Sequence, residues 1–181
     1  MVSNSSQQNR GMRGNFGDGN LTERIVFTRR IAKVVKGGRH MRFNALVVVG
    51  DGDEGKVGAA LGKAKAIPDA VRKGNAMARR NMITVPRKGS TIPMETSSKT
   101  GAALVLIKPA PPGTGIIAAG VIRAVLDSAG IKDAVAKSLG SRNPINVVYS
   151  TLNALRKLKD PASEIAIRKA AIQDPGSQRL V

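Results

Sequence analysis

Residues 47–58, VVVGDGDEGKVG, pose the first chemical question. Gly50-x-Gly52-x-x-Gly55 behind three valines has the spacing of a dinucleotide-binding turn, where glycines let the backbone approach a pyrophosphate. That chemistry needs a helix beginning inside the motif, with its N-terminus facing the phosphates. The residues that follow, KVGAALGKAKAIP, carry Gly58, Gly62 and Pro68 and make a poor helix. Asp51, Asp53 and Glu54 would also set three negative charges where two phosphates belong, and like charges repel. Gly62-Lys63 has the ending of a P-loop, but Val57 stands where that loop begins with glycine, and Ala64 replaces its Ser or Thr. The stretch is expected to be a hairpin turn, with Gly supplying positive φ and Asp supplying turn hydrogen bonds.

Other constellations are weaker still. The chain has no Cys, so it has no disulfide framework and no thiolate metal or redox site. Its single histidine, His40, lies in a basic run, where facing a phosphate or solvent is the expectation. Glu95, Asp127, Asp133 and Glu164 are scattered, with no paired spacing for acid–base work. Pro111-Pro112-Gly113-Thr114-Gly115 before a helix could hold an anion on backbone N–H groups. The favoured reading is a loop stiffened by Pro and capped by Gly. No catalytic, metal or cofactor site is expected.

Charge points elsewhere. Thirty Lys and Arg oppose twelve Asp and Glu among 181 residues, a net charge of +18. Such self-repulsion implies a polyanionic partner, nucleic acid rather than membrane, since no basic amphipathic helix with bulky aromatics is present. Phe16, Phe27, Phe43 and Tyr149 are the only aromatics, so there is little on which to stack unpaired bases. Binding should rest on phosphate contacts and the shape of folded RNA or DNA. Residues 21–85 carry 14 − 5 = +9 and residues 86–158 carry 10 − 3 = +7, with +1 in each tail. The basic surface therefore belongs to the folded parts.

The elements that must position these cations can be read from periodicity. Residues 1–20 are expected to be a disordered tail, without the apolar run of a secretory signal, and no stretch reads as a membrane span, so a cytoplasmic location is expected. ERIVFTRRIAKVV (23–35) and HMRFNALVVV (40–49) read as strands around a KGGR turn, and KVGAALGKA (56–64) as a third strand. A helix is expected over 67–82, with Ile67, Val71, Met77, Ala78 and Met82 near its apolar face. After a linker at 86–91, residues 92–97 and 101–108 read as a hairpin, 116–130 as a helix closed by Gly130, and DAVAKSLGS as a strand. Asn143 and Pro144 start a helix with Ile145, Val148, Leu152, Leu155 and Leu158 on its apolar face. Residues 159–181 read as a partly helical tail.

KVVKGGRHMRFNALVVVGDG, GKVGAALGKAKAIPDAVRKG, ARRNMI, PAPPGTGIIAAGVIRAVLDSAGI and KSLGSRNPINVV occur in that order between residues 21 and 158. Together they resemble the bacterial small-subunit ribosomal protein five family. The resemblance implies an α+β fold: a double-stranded-RNA-binding-like βββα domain at 21–85, then a small α/β domain at 86–158 with a left-handed βαβ crossover. It implies a structural part of the small ribosomal subunit, not an enzyme. That part would bind 16S ribosomal RNA, contact ribosomal proteins four and eight, influence translational accuracy and head and body conformation, and lie near the channel by which mRNA enters.

The residue roles it implies are these. Arg29, Arg30, Lys33, Lys36, Gly37, Gly38 and Arg39 match the RNA-contacting loop linked to spectinomycin sensitivity, and Arg42, Lys63 and Lys65 are further phosphate contacts. Gly113, Gly115 and Arg123 match the region facing protein four. GAALGKA departs from the family's GFGYGKA-like run, and the acidic turn is about one residue longer than usual. That turn is expected to point away from RNA, toward solvent or a basic neighbouring protein. Two alternatives remain at this stage: a free-standing double-stranded-RNA regulator, and a nucleotide-dependent enzyme working at 47–58.

Overall fold

The computed structural model describes residues 21–173, so the expectations for residues 1–20 and for the end of the chain lie outside the described residues. The chain runs β1 (Leu21–Val35), β2 (Gly38–Asp51), β3 (Lys56–Ala64), α1 (Ile67–Arg80) and β4 (Ile83–Thr84). It continues β5 (Thr96–Thr100), β6 (Ala103–Pro109), β7 (Ile116–Ile117), α2 (Gly120–Ser128), β8 (Ala134–Gly140), α3 (Pro144–Arg156) and α4 (Pro161–Gln173). Two four-stranded sheets result, ordered β1-β2-β3-β4 and β5-β6-β8-β7. The first is an antiparallel meander; in the second, β7 lies parallel to β8 with α2 crossing between them. No described helix is long and apolar enough to cross a membrane.

The apolar run Ala45–Val49 in β2 shows why the two halves hold together. Strand alternation sends Ala45, Val47 and Val49 to one face, where they meet Ala60, Ala70 and Ala78 beneath α1. Leu46 and Val48 go to the other face and join Val57, Ala59 and Val85 in a core shared with Ile107, Ile122, Leu126 and Leu155. A strand buried on both faces reads as continuous hydrophobics rather than as alternation. The inter-domain contact is therefore a true core. Ala59 of the GAALGKA run is buried within it, and Leu61 packs at its edge.

Three expectations are corrected. Of the apolar face expected for α1, Ala78 is buried and Val71 and Met82 pack against the core, but Ile67 and Met77 are 43% and 48% exposed, and Ala70 and Gly74 complete the buried stripe instead. The reason is close approach: a Cβ on Gly62 would overlap the Ala70 carbonyl oxygen, and one on Gly58 would overlap that of Ala78. Large side chains cannot enter a helix–sheet contact that tight. The helix expected over 116–130 begins only at Gly120, because Ile116 and Ile117 pair with Ala134 and Val135 as a short parallel strand. The first strand of the second hairpin is Thr96–Thr100 rather than 92–97, and Ile92 is instead buried in the shared core. By contrast, α3 starts as its sequence requires, with Pro144 in its first turn and the Asn143 side chain accepting from the Ile145 N–H.

Candidate nucleic-acid interface

The glycine motif is a hairpin turn between β2 and β3, and its glycines have mechanical reasons. A Cβ on Gly50 would overlap the carbonyl of Ser128, at the end of α2. Gly52 faces the backbone of Gly130, and Gly55 turns the chain at φ 67°. Asp51 Oδ1 accepts the N–H groups of Asp53 and Glu54, folding the turn onto itself. Glu54 pairs with Lys56 and raises the Lys56 pKa. Arg87 then clamps the turn, donating to Gly52 O at 2.6 Å and to Asp53 O at 2.6 Å. A basic residue of the chain's own linker thus holds this acidic turn through its main-chain carbonyls.

Cations collect at the opposite end of the first sheet. The β1–β2 ladder runs unbroken from Phe27↔Leu46 to Val35↔Gly38, after one irregularity between Ile25 and Phe27. β3 pairs with β2 only as far as Phe43↔Ala64, so the remaining ladder is a two-stranded arm. Gly37 makes the tip, with φ 93°. Arg29, Arg30, Lys33, Lys36, Arg39, His40 and Arg42 are all exposed on this arm. Alternation puts Arg29, Lys33, His40 and Arg42 on one face, and Arg30 and Arg39 on the other. None of them has an acidic partner in an ion pair among the described residues, whereas Arg24, at the root of β1, pairs with Asp127 of α2.

One row crosses all three long strands at the arm's base, Arg29↔Asn44↔Lys63. The Arg29 guanidinium lies 5.2 Å from the Phe27 ring centroid, which orients it without consuming its charge. Lys65 follows just past the end of β3 and is also exposed. Every RNA-contact candidate thus lies on the arm or beside its base. The sheet face that carries Arg29, Lys33, Arg42 and Lys63 is covered by the second domain only at its other end, where Leu46 and Val48 are buried.

The remaining candidates, Gly113, Gly115 and Arg123, lie in the second half. Gly115 and Arg123 line a groove of about 1200 Å³ between the two halves, together with Arg87, Asp127 and Lys132. The Pro-rich loop does hold an anion on its N–H groups, and the anion is internal. Asp133 Oδ1 accepts from Gly113 N at 3.0 Å and Gly115 N at 2.9 Å. The Ser90 side chain foremost, then the two amides, hold the Asp133 carboxyl below its usual range although burial opposes them. The sequence could not show this pairing, because it joins residues 18 and 20 positions apart. Arg123 is exposed on α2, beside this loop.

Two features escaped the sequence reading. Glu23, only 8% exposed, is held by Arg79 at 3.1 Å and by the Asn75 amide, tying β1 to α1. The second sheet also leaves one face open, where Leu104 pairs with Leu139 and Ile117 with Val135; Leu139 and Ile117 are 44% and 55% exposed. Strand periodicity in β6 and β8 marks this face, but only the packing of α2 and α3 shows which side is covered. Nearly every carboxylate among the described residues has a partner within the chain, in a turn, a clamp or an ion pair. No group of acidic residues and histidines suited to a metal ion occurs among the described residues.

Comparison with known families agrees with this two-part, basic, non-catalytic architecture. Residues 21–86 match the ribosomal protein S5 N-terminal domain, and residues 98–169 match the ribosomal protein S5 C-terminal domain. The second match reaches into α4, past residue 158 where the resemblance seen in the sequence stopped. With both domains present in order on one chain, the protein belongs to the ribosomal protein S5 family of structural, non-enzymatic, RNA-binding constituents of the small ribosomal subunit.

Proposed function

We propose that this chain binds 16S ribosomal RNA through the β1–β2 arm and the row at its base. Arg29, Arg30, Lys33, Lys36, Arg39, Arg42, Lys63 and Lys65 neutralise phosphates, while Gly37 and Gly38 let RNA backbone approach protein backbone at the tip. The observation that carries this reading is the arm itself: a two-stranded ribbon with exposed cations and no acidic partners. Such a ribbon can lie along the phosphates of a folded RNA and follow its shape. With few aromatics, contact is mainly to phosphate and sugar.

Gly113, Gly115 and Arg123 face a neighbouring ribosomal protein, protein four in the family's arrangement, and this contact bears on translational accuracy and on head and body conformation. Protein eight is the second protein neighbour, and mRNA passes nearby. The protein works in the cytoplasm, within the ribosome. Support comes from the exposed Arg123 beside a loop whose shape Asp133 fixes.

The test is the salt dependence of binding to small-subunit ribosomal RNA. Each phosphate contact contributes a slope of about 0.9 in log K against log salt for a duplex. Lys36→Ala with Arg39→Ala should lower the slope by about one to two units. An unchanged slope would remove the arm from the RNA interface. Sedimentation supplies a separate check, since a chain found wholly free in low-salt lysate is not a subunit constituent.

A further inference from the structure

A second basic site lies on α1, away from the arm tip. The helix carries four cations, and they divide into two kinds. Arg72 is paired with Asp69 at 3.0 Å, and Arg79 is paired with Glu23 at 3.1 Å. Lys73 and Arg80 have no acidic partner among the described residues, and both are exposed. They lie seven positions apart and flank Ala76 and Met77, so the four residues form one helical stripe about 10 Å long.

This stripe and the edge of β3 at Leu61 and Lys63 line a groove of about 400 Å³. Lys63, Lys73 and Arg80 line it, and no acidic residue does. β4 pairs with β3 only at Lys56 and Val57, so the outer edge of β3 beside the groove has no partner strand among the described residues. Met77 is 48% exposed in the floor, among the cations. In an isolated domain, an exposed methionine ringed by unopposed cations has no evident role. Against RNA, the cations meet phosphates while the thioether covers the sugar edge between them.

We propose that this α1–β3 groove is a second RNA-backbone site, in which Lys63, Lys73 and Arg80 grip one phosphate–sugar strand over Met77. The inference rests on the RNA-binding reading above. Charge favours a polyanionic strand over a protein partner, because three cations line the groove and no acidic residue does. Lys63 also ends the row that begins at Arg29, so the groove continues the arm's basic face around the edge of the sheet. The two sites would engage separate segments of one folded RNA.

The experiment uses the full chain and small-subunit ribosomal RNA. Lys73→Ala with Arg80→Ala should lower the salt slope by about 1.8, from two lost contacts. Arg72→Ala removes a cation already neutralised by Asp69 and should leave the slope nearly unchanged. If Arg72→Ala lowers the slope as much as each groove cation does, the effect is net charge alone and the inference is overturned. If the groove variant has no effect while Lys36→Ala with Arg39→Ala does, this inference fails and the arm reading stands. If neither has an effect, the arm reading fails as well. Because the chain lacks Cys, Met77→Cys gives a unique attachment point for a hydroxyl-radical probe in assembled subunits. Cuts in the ribosomal RNA distinct from those of a Val34→Cys probe are expected. An absence of cuts, or crosslinking from this position to a protein instead, overturns the proposal.

Discussion

A methyl group on Gly130 would overlap the carbonyl oxygen of Gly52. The two glycines, one closing α2 and one turning β2 into β3, bring the halves of the chain into backbone contact. Gly130 also holds φ 75°, which costs an L side chain about 1–2 kcal/mol before any clash is counted. Gly130→Ala is therefore expected to destabilise the chain by about 2–4 kcal/mol. Urea unfolding of the free protein measures this, and a loss below about 1 kcal/mol would mean that the interface yields easily.

Gly62 makes the parallel case inside the first domain. A Cβ there would push against the Ala70 carbonyl and the Gly74 amide, lifting α1 off the sheet. Gly62→Ala should cost about 2–4 kcal/mol and should raise the exchange rate of the α1 amides first. Uniform exchange across the chain would contradict a local origin.

Arg87 offers a test without glycine. Its guanidinium donates two short hydrogen bonds to turn carbonyls, and charge-assisted bonds of this kind contribute about 1.5–3 kcal/mol. Arg87→Ala should lower the unfolding free energy by about 2 kcal/mol. Arg87→Lys should recover only part of this, since an ammonium cannot reproduce the planar fork. Full recovery by Lys would show that charge alone matters.

Asp133 gives the pH dependence a definite sign. Its folded-state pKa lies below the unfolded value, about 3.9 for an Asp. The stability it contributes is complete above that value and disappears as pH falls through the folded pKa. Between about pH 5 and about pH 2.5 the natural chain should lose more stability than Asp133→Asn, whose side chain cannot titrate there. Equal losses in both chains would sever the link between this carboxylate and the Gly113–Gly115 loop.

Much of the fold was legible because local rules decided it. Gly37-Gly38 and Asp51 mark turns, Asn143-Pro144 marks a helix start, and the valines of β2 mark a central strand. Misreadings arose where tertiary closeness overrode size. In α1 the largest apolar residues drew the eye, yet Ala70, Gly74 and Ala78 carry the contact because Gly58 and Gly62 bring the strand too near for anything bulkier. Ile116-Ile117 reads as helix until β8 supplies a partner eighteen residues away. At the candidate site, single cations were visible as letters. Which of them were already neutralised was not, because Glu23 reaches Arg79 across 56 positions.

The pairing of the carboxylates has a consequence for the free chain. With most described acids engaged in turns and ion pairs, and thirty Lys and Arg against twelve Asp and Glu in the whole chain, positive charge dominates the field around it. Nothing on that surface discriminates against the wrong polyanion at a distance, so selectivity must come from shape after contact. A copy made in excess of its RNA would adsorb to whatever anionic polymer it met first. Making the protein in step with its RNA would limit that loss, and the need follows from how few of its acids are left to oppose its cations.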